Sequence, residues 1–299
     1  MRVRALTFNL GKASKVTAKA WTQLLDDPSW GDLLVHATKT VLVVSTQEDA
    51  RNVPFLTALR AKLEGTHMTT INVSKSALQF NIGVLLAVPK SMSRTDSKQH
   101  IVNHDESLLR HLNKKASLIV DSIIDGIRFT VVTSHLPFVP KDEPNMGYSR
   151  REAAAKKIMR YLRVDADHPH VVLWTGDMNF RIVDGKDQLS MLMQNDYMTN
   201  FKIVPSQSGP TCKKIADAPP SCIGQYTGHT PPSNECYDPK RTVSYCDRVL
   251  YAAYGATVRA PAAVALLAVG VNASDHVPIL TKMCVCRVRN SSLITPSSS

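Results

Sequence analysis

Residues able to handle protons or bind cations recur where short apolar runs end. Phe8-Asn9 closes the first such run, Thr46-Gln47-Glu48 the second, and Ser134-His135-Leu136 another. Gly176-Asp177-Met178-Asn179 follows the apolar residues 171–174, Cys246-Asp247-Arg248 opens Val249-Leu250-Tyr251, and Ser274-Asp275-His276 precedes Pro278-Ile279-Leu280. Carboxylate and amide oxygens suit a hard divalent ion, and imidazoles change charge near neutral pH. Polar groups just past strand ends converge on one rim of a sheet, where a rigid scaffold can hold a site. Taken singly, each has a plainer account. An Asp after a Gly is usually a turn residue, and a His after a strand is more often a surface or satisfied core residue. The joint recurrence is what points to a reaction centre.

Such a rim requires strands. Apolar runs of strand length cover residues 3–10, 40–45, 82–88, 117–124, 129–134, 171–174, 248–252 and 278–287. Each is rich in Val, Ile, Leu or Phe, with turn residues bounding most of them. Asp125-Gly126 predicts a hairpin turn. Helical periodicity marks residues 15–25, 53–64 and 150–163; in the last, Ala154, Ile158, Tyr161 and Leu162 form an apolar stripe opposite basic residues. Strands outnumber helices and hairpins imply antiparallel pairing, so the expected core is a two-layer β-sandwich flanked by helices. Residues 91–107 are polar and residues 215–240 are rich in Pro, Gly, Ser and Asn, so both read as loops. The stretch 291–299 is expected to be disordered. Without a repeat or a visible boundary, residues 1–290 read as one domain.

The 299 residues, 43% hydrophobic and 20% charged, exclude wholesale disorder and allow a core that needs neither disulfides nor zinc. Thirty-six Lys+Arg against 25 Asp+Glu leave +11, which favours nucleic acid, a phosphoinositide membrane or a multiply phosphorylated small molecule as partner. The six cysteines form no CxxC pair and read as reduced thiols. Residues 260–271 contain Pro261 and Gly270 and fall short of the roughly 20 residues a membrane span needs. No signal-peptide core follows Met1-Arg2-Val3-Arg4, so the expected location is cytoplasmic.

In order, these motifs resemble the inositol polyphosphate 5-phosphatases, within the exonuclease–endonuclease–phosphatase superfamily. Trp174-Thr175-Gly176-Asp177-Met178-Asn179-Phe180-Arg181-Ile182 is similar to the family's "FGDLNYRI", and Tyr245-Cys246-Asp247-Arg248-Val249-Leu250 to "WCDRIL". Pro210-Thr211-Cys212-Lys213 resembles "PTYK", Asn113-Lys114-Lys115-Ala116 resembles "NKGA", and Ser134-His135-Leu136 and Ser274-Asp275-His276 match "SHL" and "SDH". Departures are Cys212 for a tyrosine, Val243 for a proline, Tyr245 for a tryptophan, and Leu112 and Lys115 for glycines.

The resemblance implies a four-layer α/β sandwich, deoxyribonuclease I-like, in which two mixed sheets are flanked by helices. It implies Mg²⁺-dependent removal of the 5-phosphate from inositol phosphates or phosphoinositides. Glu48 would be the main metal ligand, with Asn9 beside it and Asp275 reaching the metal shell. Asp177 would orient and deprotonate the attacking water, while Asn179 holds a substrate oxygen or the nucleophile. His276, protonated beside Asp247, and His135 would meet the scissile phosphate, where cations and donors must face developing charge. Lys213, Arg241, Lys240 and Lys114 would bind substrate, Lys213 at the 4-phosphate. The expected protein is a monomer acting on such a substrate, with peripheral contact to anionic membrane allowed. Two rivals stand beside this reading: another superfamily phosphoesterase (a nuclease or sphingomyelinase-type phosphodiesterase) and a non-enzymatic phosphoinositide-binding module. Nucleic acid is disfavoured, because aromatics for base stacking make up only 6% of residues.

Overall fold

The computed structural model describes residues 1–11, 25–26, 40–48, 55–64, 66, 68–74, 82–95, 97–104, 115–138, 144–162, 168–183, 186–205, 246–265, 276 and 278–288. Their elements in chain order are β1 (Arg2–Asn9), β2 (Thr40–Gln47), α1 (Phe55–Glu64), β3 (Met68–Ser74), β4 (Ile82–Pro89), β5 (Lys98–Asn103), β6 (Ala116–Ile124), β7 (Ile127–His135), α2 (Pro144–Met159) and β8 (His170–Asp177). There follow β9 (Ile182–Val183), β10 (Lys186–Asp187), α3 (Gln188–Leu192), β11 (Lys202–Ile203), β12 (Asp247–Tyr254), β13 (Ala256–Ala265) and β14 (Ile279–Arg287). Two six-stranded sheets result, ordered β13-β14-β1-β2-β4-β3 and β11-β12-β8-β7-β6-β5. Both are mixed: β1 and β2 run parallel, as do β7 and β8, among antiparallel neighbours.

The sheets face each other across one apolar core. Val3, Ala5, Val41, Val43 and Val84 from one sheet meet Val120, Phe129, Val131, Val171, Leu173 and Val249 from the other. Helix α1 covers the outer face of the first sheet, with Phe55, Leu56, Leu59 and Leu63 buried among Leu6, Phe8, Leu42, Val44 and Leu85. Helix α2 covers the second, setting Ala154, Ala155 and Ile158 against Val132, Val172 and Trp174. Strands apolar on both faces are what burial from both sides requires. The layering is the expected four-layer sandwich with a deoxyribonuclease I-like fold. Among the described residues no helix is long and apolar enough to cross a membrane.

The structure corrects three sequence expectations. The stretch 91–107 is not one loop: it contains β5, an edge strand paired to β6 alone, whose first three residues are exposed while Val102 is buried. One-sided burial explains its polar composition. Helix α2 begins at Pro144, not 150, and ends at Met159. Its first turn lacks apolar periodicity, and proline fits a first turn because it needs no N–H partner there. Tyr161, expected on the apolar stripe, lies beyond the helix and is exposed. The expected helix over 15–25 and the tail 291–299 lie essentially outside the described residues, as does the 215–240 stretch. The hairpin turn is as expected, with Asp125 at φ 49° and Gly126 at φ 68° joining β6 to β7.

Along each central strand the inward row changes character toward one end. Val3 and Ala5 give way to Thr7 and Asn9, and Val41 and Val43 to Ser45 and Gln47. Phe129 and Val131 lead to Thr133 and His135; Val171 and Leu173 lead to Thr175 and Asp177. The polar rows join across the sandwich: Ser45 Oγ meets Thr175 Oγ1 at 2.6 Å, and Gln47 Nε2 donates to Thr133 Oγ1 at 3.1 Å. The core thus grades from apolar packing to a hydrogen-bonded floor, and the floor supports a rim.

Candidate active site

Asp177 is the centre of that rim. Its register partners are His135 on β7 and Asp247 on β12, so three ionisable side chains share one row across the sheet. The preceding Gly176 has φ 124°, and a Cβ there would lie 2.2 Å from the Ser134 carbonyl oxygen. Only glycine lets β7 and β8 approach this closely next to the site.

Asp177 Oδ1 accepts from the Asn179 backbone N–H at 3.0 Å, and Oδ2 accepts from Asn9 Nδ2 at 2.9 Å. His135 Nε2 stands 3.5 Å from Oδ2 and His276 Nε2 4.0 Å from it. The other His276 ring nitrogen, Nδ1, lies 2.7 Å from Asp247 Oδ2, completing a line Asp247–His276–Asp177. A carboxylate only accepts, so Nδ1 is the donor in that pair. Glu48 Oε1 is 3.6 Å from His135 Nε2. Asn9, Glu48, His135, Asp177, Asn179, Asp247 and His276 therefore meet in one cluster. The remaining expected site residues, Lys114, Lys213, Lys240, Arg241 and Asp275, lie outside the described residues.

Burial pushes the Asp177 carboxyl up, but His276, His135, Lys115 and Arg181 together overcome this and hold it below the usual carboxylate range. It is an anion ringed by cationic and proton-donating groups. Two of the four described non-glycine residues with left-handed backbone lie here, Glu48 at φ 56° and Asn179 at φ 52°. The Asn179 amide donates to the Leu136 carbonyl at 2.9 Å and accepts from Arg181 Nη2 at 3.0 Å. Arg248 of the Cys-Asp-Arg triplet points elsewhere, pairing with Asp187 Oδ2 at 2.8 Å; Asp187 also caps α3 by accepting from the Leu189 N–H.

Three participants escaped the sequence reading of the site. Lys115 Nζ contacts the His135 ring, 3.3 Å from Nδ1 and also against Nε2. Its one sequence signal was that it replaces a glycine. Arg181, within the strand-end motif, holds Asn179 and lies 5.3 Å over the ring centroid of Phe138, which is exposed. Arg151 is buried and braces the loops beneath: it donates to the Pro137 carbonyl at 3.3 Å and to Gln188 Oε1 at 2.6 Å, and Gln188 Oε1 also accepts from the Arg181 N–H. Burial, with like-charged Arg181 nearby, pushes the Arg151 guanidinium down to about 10. Nothing in a helical apolar stripe marks such a residue.

The donor chemistry fits a hard cation. Glu48 offers a carboxylate with a side chain 43% exposed. Asn9 Oδ1, which accepts from the Gly11 N–H at 2.9 Å, is a neutral oxygen donor. One or two carboxylates with neutral oxygens suffice for Mg²⁺.

A rim of carboxylates and imidazoles on a two-sheet sandwich defines a phosphoesterase-type site, and the whole-chain comparison agrees. The chain belongs to the endonuclease/exonuclease/phosphatase family 2, whose model matches residues 6–282. Enzymes of this superfamily are mostly hydrolases of phosphoesters and generally depend on a divalent metal. No curated protein sequence matches the chain. Among solved structures it resembles the inositol polyphosphate 5-phosphatase domain of SPsynaptojanin, in complex with inositol (1,4)-bisphosphate and calcium ion. That likeness has a TM-score of 0.64 and 19% identity, covering 95% of this chain and 84% of that one. D. rerio TDP2 complexed with single-strand DNA product aligns with a TM-score of 0.60 and 14% identity, over 95% of this chain and 99% of that chain. Cimex nitrophorin in a ferrous NO complex aligns with a TM-score of 0.65 and 18% identity, over 95% of this chain and 98% of that chain. One fold thus carries three different ligand chemistries, and it cannot by itself select the substrate.

Proposed function

We propose that this chain is a Mg²⁺-dependent phosphomonoesterase that removes the 5-phosphate of inositol polyphosphates or phosphoinositides. The observation that carries hydrolysis is the buried line Asp247–His276–Asp177, with His135, Asn9 and Glu48 around it. A binding module would not need an ionised carboxylate aimed at two imidazoles. The inositol assignment is supported by Pro210-Thr211-Cys212-Lys213 and by Tyr245-Cys246-Asp247-Arg248, with the likeness to a 5-phosphatase domain complexed with inositol (1,4)-bisphosphate.

In this reading Asp177 accepts a hydrogen bond from the attacking water and orients it in line with the ester. Because its neighbours keep Asp177 strongly ionised, it acts more by orientation and charge than by base strength. His276, held by Asp247, presents Nε2 to a phosphoryl oxygen, and His135 presents its ring to the same group. Asn179 fixes Arg181, which brings a guanidinium to the mouth of the site. Glu48 and Asn9, joined in this proposal by Asp275, would hold the metal ion, which when bound supplies Lewis-acid stabilisation of charge on the phosphoryl group. Lys213, with Arg241, Lys240 and Lys114, reads the neighbouring phosphate.

A second reading is phosphodiester or DNA-end hydrolysis. The +11 charge favours it, and so do the exposed Phe138 ring under Arg181 at the site and the likeness to TDP2 in complex with single-strand DNA product. One experiment separates the two. Phosphate release is measured from inositol phosphates and phosphoinositides, and release of the blocking alcohol from 5′-blocked single-stranded DNA, each with Mg²⁺ and with chelator. The proposal expects Mg²⁺-dependent release confined to substrates bearing a 5-phosphate on inositol. Turnover of the DNA substrate alone overturns it in favour of the second reading.

A further inference from the structure

We propose that Lys115 is a phosphate-binding residue of this site, supplying a fixed cation where the resembling family has glycine; the inference rests on the phosphoesterase reading above. Lys115 immediately precedes β6, whose first residue, Ala116, is in register with His135. Its carbonyl accepts from the His104 N–H at 3.0 Å, so the backbone is tied to β5 and the residue is fixed at the rim rather than on a free loop. From there the side chain reaches the His135 ring, 3.3 Å from Nδ1 and in contact with Nε2. That same Nε2 is 3.5 Å from Asp177 and 3.6 Å from Glu48. The ammonium is therefore one residue removed from two carboxylates, and its charge contributes to keeping Asp177 ionised.

A purely structural role accounts poorly for this placement. A lysine that packs its stem and leaves its charge in water costs little, whereas this ammonium is turned inward against an imidazole. A phosphoryl oxygen entering beside His135 would meet this ammonium and the imidazole together, and a charged acceptor of this kind makes strong hydrogen bonds to both. Lys115 thus binds the anion from the His135 side of the site. The chemistry recognised is a tetrahedral phosphoryl group, whether on an ester or as released inorganic phosphate.

The test uses inorganic phosphate as probe, so it does not depend on which ester is the substrate. Phosphate affinity is measured by titration calorimetry on the full chain for wild type, Lys115→Met, Lys115→Arg and Lys115→Gly, each checked for its thermal transition. Loss of a charge-assisted hydrogen bond predicts that Lys115→Met weakens phosphate about tenfold to a hundredfold. Lys115→Arg should stay within a few-fold of wild type. Methylammonium should restore affinity to Lys115→Gly, and that variant carries the comparison should Lys115→Met fail to fold. Phosphate affinity in the variants equal to that of wild type overturns the proposal, as does a wild type that binds no phosphate. Weakened phosphate binding beside a wild type that hydrolyses no inositol substrate keeps Lys115 and removes the inositol assignment. Hydrolysis of inositol substrates with no change in phosphate affinity does the reverse.

Discussion

Strands β6, β7, β8 and β12 carry ionisable groups at both ends, and the two ends use them differently. At the end far from the site, Arg128 Nη2 pairs with Asp121 Oδ2 at 3.0 Å, and Thr130 Oγ1 bonds both Asp121 and His170, the latter at 2.7 Å. The His170 ring packs on Tyr254 with centroids 5.9 Å apart. This grouping falls on the outward rows that alternate with Phe129 and Val131, and its charges are matched pair by pair. At the other end His135, Asp177 and Asp247 face inward with Lys115 against the His135 ring, joined by His276, Asn9 and Glu48. There several groups converge on one carboxylate, Asp177. Similar residue types build a structural tie at one end and a candidate reaction centre at the other. Convergence, not composition, separates the two ends.

The sharpest test of that contrast exchanges one atom at each end. Asp177→Asn keeps the shape and removes the charge, and phosphate release should fall about 10²–10⁴-fold with the fold retained by circular dichroism. Asp121→Asn should leave turnover within about twofold and instead cost about 1–3 kcal/mol of stability in denaturant unfolding, the usual loss for a charged hydrogen bond. A folded Asp177→Asn enzyme with wild-type turnover breaks the comparison outright.

Asp247→Asn comes next. His276 would keep a neighbour of the same shape but lose the anion that holds its ring. A loss of about ten- to a hundredfold in kcat is expected, the scale typical of groups that orient a reacting imidazole. Unchanged kcat would leave Asp247 as part of the floor only. For Glu48→Gln the expected change is in the metal requirement: about tenfold more Mg²⁺ for half-maximal rate, because a neutral amide binds a hard cation more weakly. A superimposable metal titration would remove Glu48 as a ligand.

Much of this arrangement was legible in the sequence because the strands are short and buried on both faces. Residues 40–45 and 82–88 read directly as β2 and β4 for that reason. The seven described candidate residues were also legible, since each stands at one end of an apolar run. Edge elements were not: β5 pairs on one side and reads as polar, and β11 is a two-residue pairing to β12. Nor were Arg151 and Lys115 as parts of the site. A buried arginine on α2 gains its meaning from Gln188 and the Pro137 carbonyl, groups distant in sequence, and Lys115 gains its own from His135, twenty residues on. Charges whose partners are set by tertiary register carry no local periodicity.

The smallest expected effect concerns how the floor of the site tolerates acid. His104 Nε2 lies 2.8 Å from Ser117 Oγ, Ser117 Oγ lies 2.6 Å from Ser134 Oγ, and Trp174 Nε1 donates to Ser134 at 2.8 Å. Ser134 precedes His135, so this chain of bonds braces the site end of β5, β6, β7 and β8. Burial, reinforced by Lys157, pushes the His104 imidazole down to about 3. The folded protein therefore holds this ring neutral where an unfolded chain, with an ordinary value near 6.5, begins to protonate it. A group whose folded value is depressed contributes fully above the unfolded value and loses that contribution as pH falls toward the folded one. The window is thus from about pH 6.5 down to about pH 3, and the slope is at most about 1.4 kcal/mol per pH unit. His104→Gln can keep a hydrogen bond to Ser117 without titrating. Its unfolding free energy, measured in urea at pH 7, 6, 5 and 4, should start slightly below wild type and converge on it, then exceed it, as the pH drops. Parallel profiles would mean that His104 titrates alike in both states, and that the site end owes its acid tolerance to the Asp177 cluster instead.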